Sequence, residues 1–247
     1  MIVRVFLLIC LFMTMSACLE ETGNYAPVVE ISTIESIPPK GAHRVGFDET
    51  LYSIAWRYGL DYRDLANINH IAPPYHINEG QNIYLVQKKP VIPIPPAQPI
   101  VPVTLPTPPK KPTLVRENVE KEPTVAVKQW YTPAYGPIIA KFGPLNKGIN
   151  VGGQVGDPIF ATATGKVVYS GRGLRGYGNL IIIKHNSAYL SAYAHNRKIF
   201  VKDGDRVTAG QKIAEMGDTG TTRVMLHFEI RKNGQPENPA MYLARKS

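Results

Sequence analysis

Cysteine is almost missing from this chain: of 247 residues only Cys10 and Cys18 carry a thiol. Cys10 lies inside an N-terminal apolar run that is removed if the run is a signal, so no disulfide is expected in the mature chain. Long apolar runs are missing too. The longest near the start, Val5 to Met13, is too short to cross a bilayer comfortably. Acidic side chains are under-represented, 19 against 28 Lys and Arg, which leaves a formal charge of +9 and points to an anionic partner. No GxSxG, P-loop or CxxC occurs. Gly171-Arg-Gly-Leu-Arg-Gly176 matches GxGxxG, but GYGNLIIIKH after it continues into a strand where a dinucleotide site requires a helix N-terminus. It reads as a strand-connecting loop.

What is present begins with MIVRVFLLICLFMTMSAC, a basic residue, an apolar run and small residues before a cysteine, the pattern of a secretory signal. Met15-Ser16-Ala17-Cys18 resembles the bacterial lipobox, with Met in place of the commoner Leu. The resemblance implies that residues 1–17 are removed and that Cys18 carries lipid. Leu19 after it does not favour inner-membrane retention, so the expected location is the outer membrane, facing the periplasm. Nucleic acid is absent there, and the abundant polyanions are peptidoglycan stem carboxylates and lipid head groups. The alternative is an ordinary signal ending before an unmodified Cys18, a free thiol in an oxidising compartment.

Residues 18–42 show no periodicity and read as a flexible leader. From 43 to 86 the pattern is strand, helix, helix, strand. Leu51, Ile54, Ala55 and Tyr58 fall on one helical face. Asp48 or Thr50 can cap its start and Gly59 its end. Asp61, with Asp64 three residues on, opens a second helix carrying Leu65, Ala66 and Ile68. HRV before and NIYLV after read as short strands. Residues 87–127 place a proline at every second to fourth position and predict an extended polyproline linker. At ~3.1 Å per residue it would reach about 120 Å, enough for a tether between membrane and wall. An SH3-type ligand is the other reading of such a segment. From 128 to 247 the chain is strand-like (KVVYS, NLIIIK, AYLSAYAH, MLHFEIRK), punctuated by Gly156-Asp157, Asp203-Gly204 and Asn233-Gly234. No sustained helical period appears, and the expected fold is an antiparallel sheet sandwich.

The 43–86 module resembles a LysM domain through HRV, DETLYSIAWRYGLDYRDLANIN and INEGQNIYLV, with Asp48 where the family usually has Gly. The resemblance implies binding of N-acetylglucosamine-containing glycans in a shallow groove. Asp48, Glu49, Thr50 and Leu51 would form one side, and Asn69, His70 and Ile71 the other. A LysM fold kept without useful glycan affinity is the alternative.

In the C-terminal domain, Met225 and His227 alternate with Leu226, Phe228 and Ile230, so the first two leave one face of a strand while the others enter the core. His195 ends AYLSAYAH and by the same alternation shares a face with Tyr193 and Ser191. A metal hydrolase needs three fixed ligands and an open position for water. The segment resembles the LytM or lysostaphin-type zinc endopeptidases, whose fold is a mainly-β duplicated hybrid motif. That family shows His-x-x-x-Asp in a glycine-flanked loop, a Tyr-x-His context and a late His-x-His. Carried over, these positions are Asn146 and Asn150, His195, and Met225 with His227. The resemblance thus implies that zinc is not held, that no catalytic residue or cofactor remains, and that a groove lined by Asn146, Asn150, His195, Met225 and His227 is a contact surface. Lys147, Arg175 and Tyr177 are expected at its rim.

The order of the parts, with WYTPAYGPIIAKF, NKGIN, GLRGYGNLIIIKHNSAYLSAYAHN, VTAGQKIAEMG and RVMLHFEIRKNGQPENPAMYL, resembles the NlpD-type lipoproteins. These join a lipid anchor, LysM, a variable linker and a degenerate LytM domain. The resemblance implies an activator of periplasmic zinc-dependent N-acetylmuramoyl-L-alanine amidases in septal peptidoglycan splitting and daughter-cell separation. Two other classes stay open: an active zinc endopeptidase, and a passive tether of outer membrane to wall.

Overall fold

A computed structural model describes residues 34–87, 127 and 129–243. The signal segment, Cys18, most of the leader and nearly all of the proline-rich segment lie outside the described residues. Among those described, no helix is long and apolar enough to cross a membrane.

The N-terminal module is the expected strand–helix–helix–strand. Strand β1 (Ala42–Arg44) pairs antiparallel with β2 (Asn82–Tyr84), with His43 opposite Ile83. Helix α1 (Leu51–Tyr58) starts at Thr50, whose hydroxyl accepts from the Ser53 N–H while the Ser53 side chain accepts from the Thr50 N–H, a complete capping box. Gly59 ends it in the left-handed conformation, its N–H closing on Ala55 and Trp56. Helix α2 (Tyr62–Ile68) starts at Asp61, whose carboxylate accepts from the Arg63 N–H.

The C-terminal domain is a sandwich of two antiparallel sheets. Its strands are β3 (Ile138–Ala140), β4 (Ile149–Gly152), β5 (Pro158–Phe160), β6 (Gly165–Gly171), β7 (Leu180–Lys184), β8 (Tyr189–Ala194), β9 (Asn196–Ile199), β10 (Arg206–Val207), β11 (Lys212–Met216), β12 (Met225–Lys232) and β13 (Gln235–Glu237). The large sheet runs β10-β6-β7-β8-β12-β4-β3, with β13 on the free half of β12; the small sheet runs β5-β11-β9. Between the sheets lies one core, where Val167, Ile181, Ile183, Tyr193, Phe228 and Ile230 meet Ile159, Ile213 and Met216.

The other face of the large sheet is also covered. Val168, Leu180, Ile182, Leu190, Ala192 and Ala194 belong to a second core with Leu51, Ile54, Trp56, Leu65 and Ile83 of the N-terminal module. This explains why LIIIK is apolar without alternation: its side chains are buried on both faces. The module is therefore a third layer, docked on the domain by named polar contacts as well. Thr50 Oγ1 donates to the Val168 carbonyl (3.1 Å), Arg57 Nη2 to that of Gly173 (2.9 Å) and Arg63 Nη2 to Asn233 Oδ1 (2.9 Å). Lys184 Nζ sits 5.0 Å from the centroid of the Tyr62 ring and within 6.0 Å of those of Tyr52 and Tyr75. At the β12–β13 turn, Gly234 has φ 79°, and a Cβ there would stand 2.6 Å from the Leu60 carbonyl.

One expectation changes. The proline-rich segment was expected to supply reach, yet the described units on either side of it share one core, so its length does not separate those two units.

Candidate functional site

Strand pairing sets the geometry. β4 runs antiparallel to β12 with Asn150 opposite His227 and Gly152 opposite Met225. Gly148 is required where β4 begins, because a Cβ there would lie 2.1 Å from the Phe228 carbonyl. Ahead of it, Gly143 and Asn146 exchange backbone hydrogen bonds (2.9 and 3.2 Å) in a tight turn that carries Asn146 and Lys147. The Asn146 Nδ2 donates to the Lys141 carbonyl (3.2 Å) and reaches Asn150 Oδ1 at 3.5 Å.

His227 is held at both ring nitrogens, with Nδ1 2.7 Å from Asn150 Oδ1 and Nε2 3.1 Å from Glu229 Oε1. Glu229 is fully buried and also accepts from the Tyr177 hydroxyl (2.8 Å) and from Arg231 Nε (3.0 Å). Burial alone would raise its pKa, but Arg231, then His227 and Tyr177, hold it at about 2. Arg231 is itself buried: its Nη1 donates to the Trp56 carbonyl (2.7 Å) and its guanidinium lies 3.7 Å from the centroid of the Trp56 ring. A polar relay therefore runs from Asn146 through Asn150, His227, Glu229 and Arg231 to the N-terminal module.

His195 departs from the sequence expectation. Its ring lies 6.3 Å from that of His227, on the face opposite Tyr193, whose ring packs at a tilt against Phe228, 5.3 Å between centroids. The reason is local: His195 has φ 66°, and the left-handed backbone breaks strand alternation at the end of β8. Its Nδ1–H donates to the Thr219 carbonyl (2.8 Å), which leaves Nε2 as a bare acceptor, buried without a partner. Burial, opposed by the Thr219 hydrogen bond and reinforced by His227, lowers its pKa to about 4, so the ring is neutral near pH 7. Met225 is buried two residues before His227 on the same strand, and so on the same face. Asn146, Asn150, His195, Met225 and His227 are thus brought to one face of the large sheet, and that face continues directly beneath the docked module.

Of the expected rim residues, Lys147 and Arg175 border the seam between the two units, while the Tyr177 hydroxyl points inward to Glu229. On the expected glycan groove the picture is mixed. Leu51 is fully buried core. The Glu49 carboxylate bridges His43 (2.6 Å) and Arg57 (2.5 Å), with its side chain only 6% exposed. Thr50 caps α1 and bonds Val168. Asn69 braces Tyr84 through N–H (2.7 Å) and carbonyl (2.8 Å) hydrogen bonds. Asp48 and His70, both at positive φ, remain exposed, and Ile71 is half-buried.

The donor set does not fit zinc. Both His227 nitrogens face oxygens, Glu229 is neutralised by Arg231, and two amides and a thioether offer neither imidazole nor carboxylate. Among the described residues no group of three His, Cys, Asp or Glu could hold a metal ion. Glu229, Arg231 and Trp56 were not singled out by sequence. The signal was there, since His227, Glu229 and Arg231 alternate along β12, but a polar alternation ordinarily marks a solvent face.

These two units define a class: a LysM module docked on a peptidase-type β-sandwich. The LysM domain model matches residues 43–85 and the Peptidase family M23 model residues 144–239. The chain belongs to the NlpD-type lipoprotein family. It is 45% identical over 237 residues to the Lipoprotein NlpD/LppB homolog of Pseudomonas aeruginosa, across 83% of this chain and 78% of that one. It is 39% identical over 266 residues to Murein hydrolase activator NlpD of Escherichia coli, across 84% and 70%. Outer membrane antigenic lipoprotein B of Histophilus somni is 40% identical over 215 residues, across 78% and 64%.

Proposed function

We propose that this chain is a non-catalytic activator of a periplasmic N-acetylmuramoyl-L-alanine amidase, working in septal peptidoglycan splitting. Lipidated Cys18 fixes it to the outer membrane, and the LysM module holds peptidoglycan through the edge around Asp48, His70 and Ile71. The face lined by Asn146, Asn150, His195, Met225 and His227 stands where the endopeptidases keep zinc ligands, and here it receives a segment of the amidase. The observation that carries this reading is the saturation of His227 by Asn150 and Glu229, which leaves the site without a metal-holding set. Two imidazoles, two amides and a thioether make a floor suited to an amphipathic partner helix. The LysM layer closes one end of that face, so the partner enters from the Met225 and His195 end.

The test is dye release from labelled peptidoglycan with the amidase, with this chain, and with both. Strong release only in the mixture is expected. Release by this chain alone overturns the proposal, and a mixture no faster than the amidase alone reduces the chain to a tether.

A further inference from the structure

An open pocket of about 330 Å³, solvent-filled mouth included, lies at the seam between the LysM module and the β-sandwich. Four cations border it: Arg57 on α1, Lys147 beside the asparagine loop, Arg175 in the β6–β7 loop and Arg231 on β12. Two are already matched, Arg57 by Glu49 at 2.5 Å and Arg231 by Glu229 at 3.0 Å. The other two are not. Lys147 Nζ donates only to the Pro144 carbonyl (3.0 Å), and the exposed Arg175 has no polar partner among the described residues. Arg57 Nε is buried and unpaired as well. One carboxylate of the chain itself already reaches in: Glu35, 41% exposed, stands 4.0 Å from Arg57 Nη1. Trp56 supplies the apolar wall.

The pocket is thus built for a carboxylate, and Arg57 places it next to the LysM edge, because the same guanidinium that borders the pocket clasps Glu49, the neighbour in sequence of the exposed Asp48. Peptide stems bearing carboxylates hang from the glycan strands of peptidoglycan. A strand lying on that edge would present a stem to the pocket. We propose that the seam pocket binds a stem carboxylate of the same strand that the LysM module holds, with Lys147 and Arg175 as the residues that select stem-bearing glycan. This rests on the LysM glycan reading. It gives the docked pair of units a selectivity neither has alone: it stays on wall whose stems are uncut and leaves wall from which stems have been removed.

The experiment measures binding of the full chain to uncross-linked glycan strands carrying stems, to the same strands stripped of stems, and to the free stem peptide. Charge-assisted contacts of this kind predict roughly tenfold tighter binding of the stem-bearing strands, with the advantage shrinking as salt rises. The Lys147→Glu/Arg175→Glu double variant removes that advantage and leaves affinity for stripped strands unchanged. Amidating the stem carboxylates does the same to the wild type, which separates loss of the contact from any misfolding of the variant. Equal affinity for both strands, or a preference that survives the double variant, overturns the proposal. If neither strand binds, the LysM reading fails, and the free stem then judges the pocket alone: saturable binding lost in the variant supports it, and no binding refutes it. An unrelated acidic peptide that binds as well as the stem refutes the stem assignment.

Discussion

Replacing Arg231 by Met removes a cation from a place where four contacts meet. Glu229 loses its neutralising partner at 3.0 Å, the Trp56 carbonyl loses a donor at 2.7 Å, the Tyr177 hydroxyl loses a neighbour at 3.4 Å, and the Trp56 ring loses a guanidinium 3.7 Å from its centroid. Glu229 is fully buried, so it cannot recover its solvation without opening the seam. Breaking a buried ion pair by deleting one partner costs about 3–5 kcal/mol, and loss of the desolvated ring contact adds ~2 kcal/mol. The Glu229→Leu/Arg231→Met pair should cost less than Arg231→Met, because no buried charge is stranded. The lost Trp56 carbonyl and ring contacts are common to both variants; what the pair loses beyond them, in place of the stranded charge, is the acceptor of the Tyr177 hydroxyl and of His227, about 1–3 kcal/mol. The chain has two tryptophans, and they report separately: Trp56 sits in the LysM module and Trp130 in the sandwich core. Urea unfolding followed with Trp130→Phe and Trp56→Phe backgrounds should give coincident transitions when Arg231 is present, and an earlier Trp56 transition when it is not. A loss under about 1 kcal/mol, or a double variant costlier than the single one, would refute this account of the seam.

Gly234→Ala should part the module from the sheet edge, because its Cβ would stand 2.6 Å from the Leu60 carbonyl at φ 79°; amide exchange at Leu60 and Asp61 should accelerate, and unchanged exchange would contradict the close approach. Thr50→Ala should cost about 1 kcal/mol for the lost cap, plus the Val168 hydrogen bond, whereas Thr50→Ser should restore most of it in the same urea titration. Glu229 gives a pH dependence. Its folded pKa lies below the ordinary carboxylate value, so its contribution is present above that value and is lost as pH falls toward about 2. Glu229→Gln should therefore flatten the acid limb of the unfolding profile, and an identical limb would show that the carboxylate does not titrate with folding.

Much of this was legible in the residues. Cap chemistry alone marked both ends of α1, at Asp48 or Thr50 and at Gly59, and the start of α2 at Asp61, and Leu226, Phe228 and Ile230 fixed the inward face of β12. The composite architecture was harder to read. LIIIK carried the necessary sign, an apolar run with no polar side, yet a two-layer sandwich accounts for only one of its faces. Trp56 looked like one more residue of a small helical core, and nothing local reveals that its ring lies against an arginine 175 residues further along. His195 was misplaced for a different reason: alternation extrapolates a strand, and a single left-handed residue ends the rule. The glycan-side residues show the limit of carrying positions over by motif, since Glu49, Leu51 and Asn69 here brace the fold while Asp48 and His70 stay exposed.

The central claim is that the groove of this chain is kept for contact and not for cutting. It is tested most directly by mass analysis of what the full chain releases from cross-linked peptidoglycan, with zinc supplied, alone and together with an amidase. Alone, no soluble fragment is expected, and in the mixture every product should be glycan parted from an intact stem. Peptide fragments cut within the cross-links, released by this chain alone, would contradict the account.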